Sequence, residues 1–226
     1  MLWLLFVGVT VLGYLIGAIP VGGMIAGLKG IDLRKYGSGK LGTTNVLRTI
    51  GRRAAALVLV GDFLKGSLAV ELAKLLAGAI APPGTRFGWP GDGLSAITIS
   101  MLLAAVAAIA GHLWSIYMRL LTGEWGGGRG VATSLGASMV IHPLIPLIAL
   151  AVGIPTILIW RYVSLGSIVG SVAGGLAIVM LVLFGQLDAL SVLFVSIAIV
   201  VVLAHHDNIE RLLKGTERKI GERAKA

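Results

Sequence analysis

An all-α, polytopic membrane helical bundle is the fold class this sequence predicts, and three observations predict it. The 226 residues are 57% hydrophobic and 13% charged, with a mean hydropathy of +0.96, a balance that a water-soluble core of this size does not carry. Apolar runs long enough to span a bilayer recur along the chain and are joined by short polar loops, so a single domain over residues 1–226 suffices. Loops crowded with cations alternate with loops nearly free of them, the pattern of positive-inside topology. The net charge of +9 therefore implies no nucleic-acid partner. With no cysteine in the chain, a disulfide framework, a thiolate nucleophile and a Cys-ligated metal are all excluded.

Residues 1–28 carry no charge before Lys29 and lack both a basic start and a small-x-small cleavage site. They predict a first transmembrane helix and not a removed signal peptide. Pro20, in Gly17-Ala18-Ile19-Pro20, should kink that helix and free a carbonyl. The loop from Lys29 to Arg53 holds seven basic residues against Asp32 alone, which places it in the cytoplasm and the amino terminus outside.

Residues 54–80 predict a second span that contains Asp62, Lys65, Glu71 and Lys74. An unpaired charge at mid-bilayer costs about 2.5–3.5 kcal/mol. Each acid stands three residues before a base, so the partners share a face and can neutralise one another. Residues 81–95, with Arg86 as the one cation, read as an outer loop, and 96–118 return across the membrane through Gly111-His112 to the interfacial Trp114 and Tyr117. Residues 131–160 contain Pro143, Pro146 and Pro155, and His142-Pro143 predicts a turn between two short spans. Arg161 to Ser164 form a cytoplasmic corner. Residues 164–184 then carry Gly166, Gly170 and Gly174 at four-residue spacing, a face for close helix packing. A turn over 185–188 leads to the last apolar span, 189–204, and the tail 205–226 holds six cations. An outside start and a cytoplasmic end require an odd number of spans: seven transmembrane helices, or five if 131–160 is re-entrant.

Three polar stretches fall on the cytoplasmic side of this scheme. Residues 37–51 bring together Gly37, Gly39 and Gly42 with Ser38, Thr43, Thr44, Asn45, Lys40 and Arg48. Glycines let backbone N–H groups converge, and with hydroxyls and a guanidinium they form an anion cradle. Residues 123–134 offer a second candidate cradle in Gly126, Gly127, Gly128, Arg129 and Gly130 ahead of a helix start. Its likeness to a nucleotide-binding P-loop fails, because Arg replaces Lys, Gly130 stands at the magnesium-binding hydroxyl and no strand precedes it. The third stretch opens the tail, where His205 and Asn208 share a helical face. Phosphate-type chemistry gathered on one side suits an enzyme that takes a polar substrate from the cytosol and a lipidic one from the bilayer. The rival is a membrane transporter of a phosphorylated solute, which should bind its cargo near the bilayer midplane.

These stretches together resemble the bacterial acyl-phosphate-dependent glycerol-3-phosphate acyltransferases, the PlsY family. The first family motif, Gly-Ser-Gly-Asn-x-Gly-Ala/Thr-Thr-Asn followed by Arg, is similar to Gly37–Asn45 and Arg48, with Lys40 in the Asn position. The second, Phe-Lys-Gly-Gly-Lys-Gly-Val-Ala-Thr after a Gly-His, resembles Trp125–Thr133 after Gly111-His112, where Gly126 and Arg129 replace the two lysines. The third matches His205, Asn208, Ile209, Arg211, Leu212, Gly215 and Glu217, and further echoes are Asp62 to Gly66, Arg161 to Ser164 and the Ile19-Pro20 pair.

The resemblance implies transfer of a fatty acyl group from acyl phosphate to the 1-hydroxyl of glycerol 3-phosphate, forming lysophosphatidate and phosphate for phospholipid biosynthesis. It implies a multi-pass protein of the bacterial inner membrane with its site on the cytoplasmic face, working beside membrane lipid. An acyl phosphate is already activated, so no metal or cofactor is expected; the protein must position two anions and stabilise developing charge. On this reading Ser38, Gly39, Thr43, Thr44 and Asn45, with Gly42, hold the acyl phosphate's phosphate. Arg48, Arg129, Ser164, His205 and Asn208 hold glycerol 3-phosphate, with Gly127, Gly128, Gly130 and Glu217 completing the site. Ser38, Arg48, His205 and Asn208 are the catalytic candidates. Either His205 or a substrate phosphate oxygen takes the hydroxyl proton.

Overall fold

A computed structural model describes residues 2–82, 84–87 and 94–222. Part of the expected outer loop, 83 and 88–93, lies outside the described residues. Among the described residues the regular structure is helical except for one short antiparallel ribbon. In order, the elements are α1 (Leu2–Ala18), α2 (Val21–Gly27), α3 (Thr43–Thr49), α4 (Arg52–Ile80), β1 (Arg86–Phe87), β2 (Leu94–Ser95), α5 (Ala96–Leu113), α6 (Ile116–Thr122), α7 (Val131–Ile141), α8 (Leu144–Trp160), α9 (Val163–Leu183), α10 (Val195–Leu203) and α11 (His206–Leu213).

The break expected at Pro20 separates α1 from α2, because proline supplies no N–H and its ring crowds the preceding turn. The span expected over 96–118 is cut short at Leu113. Ser115 leaves the helix in extended conformation, caps Met118 N with its side chain and pairs its own backbone with Gly126, so 116–122 start afresh as α6. The turn at His142-Pro143 divides α7 from α8 as the proline predicts, and the last apolar segment begins as a 3-10 helix over Ala189–Phe194 before α10.

Among the described residues three helices are long and apolar enough to cross a membrane: Leu2–Gly27, Ala96–Leu113 and Val163–Leu183. A fourth is added if Ser191–Leu203 and His206–Leu213, bent by 56°, count as one span. α4 is 29 residues long but carries the two acid–base pairs. Lys65 Nζ lies 2.9 Å from Asp62 Oδ1 with both side chains buried, whereas the Lys74–Glu71 pair, at 3.6 Å, is half exposed. Large apolar side chains such as Trp3, Leu64, Leu158, Leu176 and Leu183 stand exposed on the outer faces, the inverse of a water-soluble surface and the arrangement lipid requires.

Close backbone approach sets the helix positions. A Cβ built on Gly136 of α7 would lie 1.9 Å from the Phe63 carbonyl oxygen, and one on Gly66 of α4 would lie 2.1 Å from that of Thr133. The Ser67 hydroxyl donates across the same contact to the Gly136 carbonyl at 2.9 Å. Because α7 begins directly after the second glycine-rich stretch, this contact fixes where that stretch is carried. On α9, Gly166 and Gly170 face Gly153 and Ala149 of α8 at similarly short range, the packing face read from their spacing.

Gly136→Ala should destabilise the folded protein by about 1–3 kcal/mol, since a methyl group there has no room. Gly8→Ala, where nothing lies within 4 Å, should change stability by no more than about 0.5 kcal/mol. Thermal unfolding in detergent reads both, and equal midpoints would refute the packing argument.

Candidate active site

Four parts of the chain meet at the polar loops, around residues 37–51, 123–134, 161–164 and 205–222. In the first stretch Gly37 and Gly39 take positive φ (61° and 67°), a backbone region that side chains disfavour. Asn45 is buried inside the loop it ends. Its Nδ2 donates to the carbonyls of Leu33, Tyr36 and Lys40 at 3.2, 3.0 and 2.9 Å, and its Oδ1 accepts from Ser38 N at 3.3 Å. The amide that the sequence assigns to a substrate phosphate is thus engaged by the loop backbone. Gly42 precedes the first turn of α3, where Thr43 and Thr44 are half buried, and Lys40 is exposed.

The second stretch lies against the end of α5. Ser115 N donates to Gly126 O and Gly128 N to His112 O, each at 3.1 Å. Gly127 O accepts from Leu41 N at 2.9 Å, which joins the two glycine-rich stretches directly. Gly130 (φ 81°) turns the chain into α7. Arg129 reaches the third stretch, with Nη2 3.1 Å from Asp207 Oδ2, while its buried Nε has no hydrogen-bond partner in the protein.

At the tail, His205 is 2% exposed and its Nδ1 lies 2.7 Å from the Val201 carbonyl. A carbonyl only accepts, so Nδ1 carries the proton and Nε2 keeps its lone pair. Burial lowers the imidazole pKa to about 4, opposed by the Val201 hydrogen bond and reinforced by the Arg129 charge. At neutral pH this ring is uncharged. Asn208, one helical turn on, donates Nδ2 to Glu217 Oε1 at 2.7 Å, and its Oδ1 is buried without a partner.

Glu217 gathers the rest. Its Oε1 also accepts from Ser164 Oγ at 2.9 Å and its Oε2 from Arg211 Nε at 2.7 Å. Burial opposes the charge, but the hydrogen bonds from Arg211, Asn208 and Ser164 outweigh it and hold the carboxyl below its ordinary range. The strand of tail beyond it closes over α3 and the α8–α9 corner: Arg48 Nη2 donates to Arg218 O at 3.0 Å and Ile220 N to Arg161 O at 2.7 Å.

Hydrogen bonds thus join Leu41 to Gly127, Arg129 to Asp207, Arg48 to Arg218, and Ser164 and Asn208 to Glu217, whereas Ser38, Thr43 and Thr44 stay within the first stretch. Sequence reasoning missed Asp207 as the partner of Arg129, although its i,i+4 relation to Arg211, 3.6 Å apart here, was a visible sign. It also missed the tail's hold on Arg48, which joins residues 170 positions apart and leaves no mark in local spacing.

Glu217→Gln should lower stability at neutral pH, and the wild-type protein should lose the same contribution on acidification. The folded carboxyl is more acidic than the unfolded one, so its stabilisation is present above the ordinary value of 4.5 and disappears as pH falls through the folded value. Unfolding midpoints against pH for both proteins should converge at the acid end; parallel curves would contradict the assignment.

Comparison with known proteins identifies the family. The sequence profile of the glycerol-3-phosphate acyltransferase family matches residues 7–215. A glycerol-3-phosphate acyltransferase of Clostridioides difficile (strain 630) is 38% identical over 219 residues, covering 96% of this chain and 97% of the relative. That of Rippkaea orientalis (strain PCC 8801 / RF-1) is 42% identical over 225 residues, covering 99% and 96%. The crystal structure of PlsY (YgiH), an integral membrane glycerol 3-phosphate acyltransferase in its glycerol 3-phosphate form, superposes with a TM-score of 0.76 at 31% identity, covering 96% of each chain. Its lysophosphatidic acid form gives 0.74 at 30%, covering 96% and 95%. With the profile, the relatives and the fold in agreement over nearly its whole length, the chain belongs to the glycerol-3-phosphate acyltransferase family and is an acyltransferase of the PlsY type.

Proposed function

We propose that this protein moves a fatty acyl group from acyl phosphate to the 1-hydroxyl of glycerol 3-phosphate, releasing inorganic phosphate and lysophosphatidate. The reading is carried by two of the buried polar atoms that lack a hydrogen-bond partner among the described residues, Arg129 Nε and Asn208 Oδ1, which lie where the second glycine-rich loop meets the tail. A buried donor and a buried acceptor left unpaired cost free energy unless a ligand completes them. Phosphate suits the guanidinium, and a hydroxyl suits the amide oxygen. Ser38, Gly39, Gly42, Thr43 and Thr44 cradle the acyl phosphate, with Asn45 shaping the loop from behind. Arg48, Arg129, Ser164, His205 and Asn208 hold glycerol 3-phosphate, and Gly127, Gly128 and Gly130 supply backbone beside it. Glu217 orders Ser164 and Asn208 for that task.

In the reaction the 1-hydroxyl oxygen attacks the acyl carbonyl carbon, and the bond from that carbon to the phosphate oxygen breaks. The neutral imidazole of His205 offers Nε2 to the attacking hydroxyl and orients it. A base with a pKa of about 4 holds a proton poorly at neutrality, so the proton passes to an oxygen of the departing phosphate. Backbone N–H groups and the guanidinium of Arg129 stabilise the charge that builds on the carbonyl and the leaving group.

The same reading places the protein in the bacterial inner membrane. α1, α4, α5, α7, α8, α9 and α10 form seven spans, with the amino terminus outside and the site at the cytoplasmic face. Binding groups at helix ends on one side, and not at mid-span, favour this over a transporter.

Purified protein in lipid, given acyl phosphate and glycerol 3-phosphate, should release phosphate and form lysophosphatidate in equal amounts; formation of neither removes the proposal. Arg48→Ala and Asn208→Ala should each lower turnover by about 10²-fold or more while the protein stays folded, and a normal rate in either counts against the site. An NMR titration of the His205 imidazole should give a midpoint near the value of about 4, below the ordinary 6.5. A midpoint at 6.5 would return the imidazole to the role of general base.

A further inference from the structure

A second polar group lies beneath the site, inside the bundle. Asp62 and Lys65 of α4 and His112 of α5 are all buried, and the reaction outlined above uses none of them. Lys65 Nζ donates to Asp62 Oδ1 at 2.9 Å and to the Ile19 carbonyl at 2.8 Å. That carbonyl stands at the α1–α2 break, next to the Ala18 carbonyl, which accepts from the Ser115 hydroxyl. Asp62 Oδ1 also lies 3.5 Å from His112 Nδ1, an ion-pair distance and not a hydrogen bond.

His112 in turn supports the second glycine-rich stretch. Its carbonyl accepts from Gly128 N at 3.1 Å, and its ring lies where a Gly128 side chain would be. A Cβ built on Gly128 would meet His112 Nε2 at 2.2 Å, Cε1 at 2.9 Å and Cδ2 at 3.3 Å, with no other residue nearer. Gly128 does not have a positive φ, so the ring is the main obstacle to a side chain there. The placement passes on through Gly127 O to Leu41 N and so to the first glycine-rich stretch.

We propose that Asp62, Lys65 and His112 are positioning residues. Together they set the height at which both glycine-rich stretches present their backbone to the substrates' phosphates. The inference rests on the acyltransferase reading and adds to it three residues that touch no substrate. A cluster that merely neutralises charge within the bundle behaves differently. Removing one member of a buried ion pair strands a charge, whereas removing both with matched neutral groups is close to neutral for stability. Positioning is not recovered by that exchange, because Ile19 loses the ammonium that holds its carbonyl.

The test measures phosphate release by the full-length protein in lipid against glycerol 3-phosphate concentration, together with the unfolding midpoint. Asp62→Asn/Lys65→Met should unfold near the wild-type midpoint yet show a KM for glycerol 3-phosphate raised by about tenfold or more, with kcat changed less. His112→Ala, which takes away the ring that backs Gly128, should raise KM likewise, while Glu71→Gln/Lys74→Met, which removes the half-exposed pair on the same helix, should leave KM at the wild-type value. A wild-type KM in the neutral pair or in His112→Ala overturns the proposal. Should the neutral pair fail to fold, His112→Ala decides alone. Wild-type protein that makes no lysophosphatidate would sink the acyltransferase reading, whereas active wild type with variants that match it sinks only the positioning role.

Discussion

Everything at this site depends on two backbones meeting without side chains between them. The hydrogen bond from Leu41 N to Gly127 O, 2.9 Å long, ties the first glycine-rich stretch to the second. It forms where Gly127 and Gly128 pack against the end of α5 with no room for side chains. Gly127 itself lies so near the end of α5 that a Cβ would stand 2.2 Å from His112 O. Peptide N–H groups held in this way keep their direction when a phosphate arrives, so little reorganisation opposes binding or the growth of charge in the transition state.

Charge inside the bundle follows the same logic of satisfaction. Asp62 and Lys65 neutralise each other, and the ammonium then serves the Ile19 carbonyl at the α1–α2 break, which also accepts from Val21 N. A break in a spanning helix is tolerated where neighbouring side chains take up the freed groups, and here Lys65 and Ser115 do so on adjacent carbonyls. The charges that look anomalous in an apolar span are what permit α1 and α2 to part beside the site.

The tail adds a second closure from the opposite side. Glu217 holds Ser164, Asn208 and Arg211 together, and Arg161, whose φ of 63° is unusual for a residue with a side chain, receives Ile220 N on its carbonyl. A neutral, buried His205 fits a reaction whose donor is already activated. In the proposed reaction the protein orders two anions and one hydroxyl, and proton transfer is left to the phosphate.

Local spacing sufficed for much of this. The apolar runs, the break at Pro20, the turn at His142-Pro143, the Asp62–Lys65 pairing and the glycine face of α9 were legible because each depends on residues a few positions apart, where helical period and proline geometry act directly. The three polar stretches were equally legible as candidate anion sites from their residue types. Their joining was not. The bonds from Leu41 to Gly127, Arg129 to Asp207 and Arg48 to Arg218 connect residues remote in sequence, and nothing in local pattern states which carbonyl a given N–H will reach. The same holds for Asn45, whose amide reads as a ligand but is used by its own loop, and for Lys65, whose third-element partner Ile19 is 46 residues away. Sequence by itself determined the class of fold, the places where helices stop and the chemistry on offer. Tertiary structure alone decided which groups are already satisfied by the protein and which remain open to substrate, because hydrogen-bond satisfaction depends on distances set by packing.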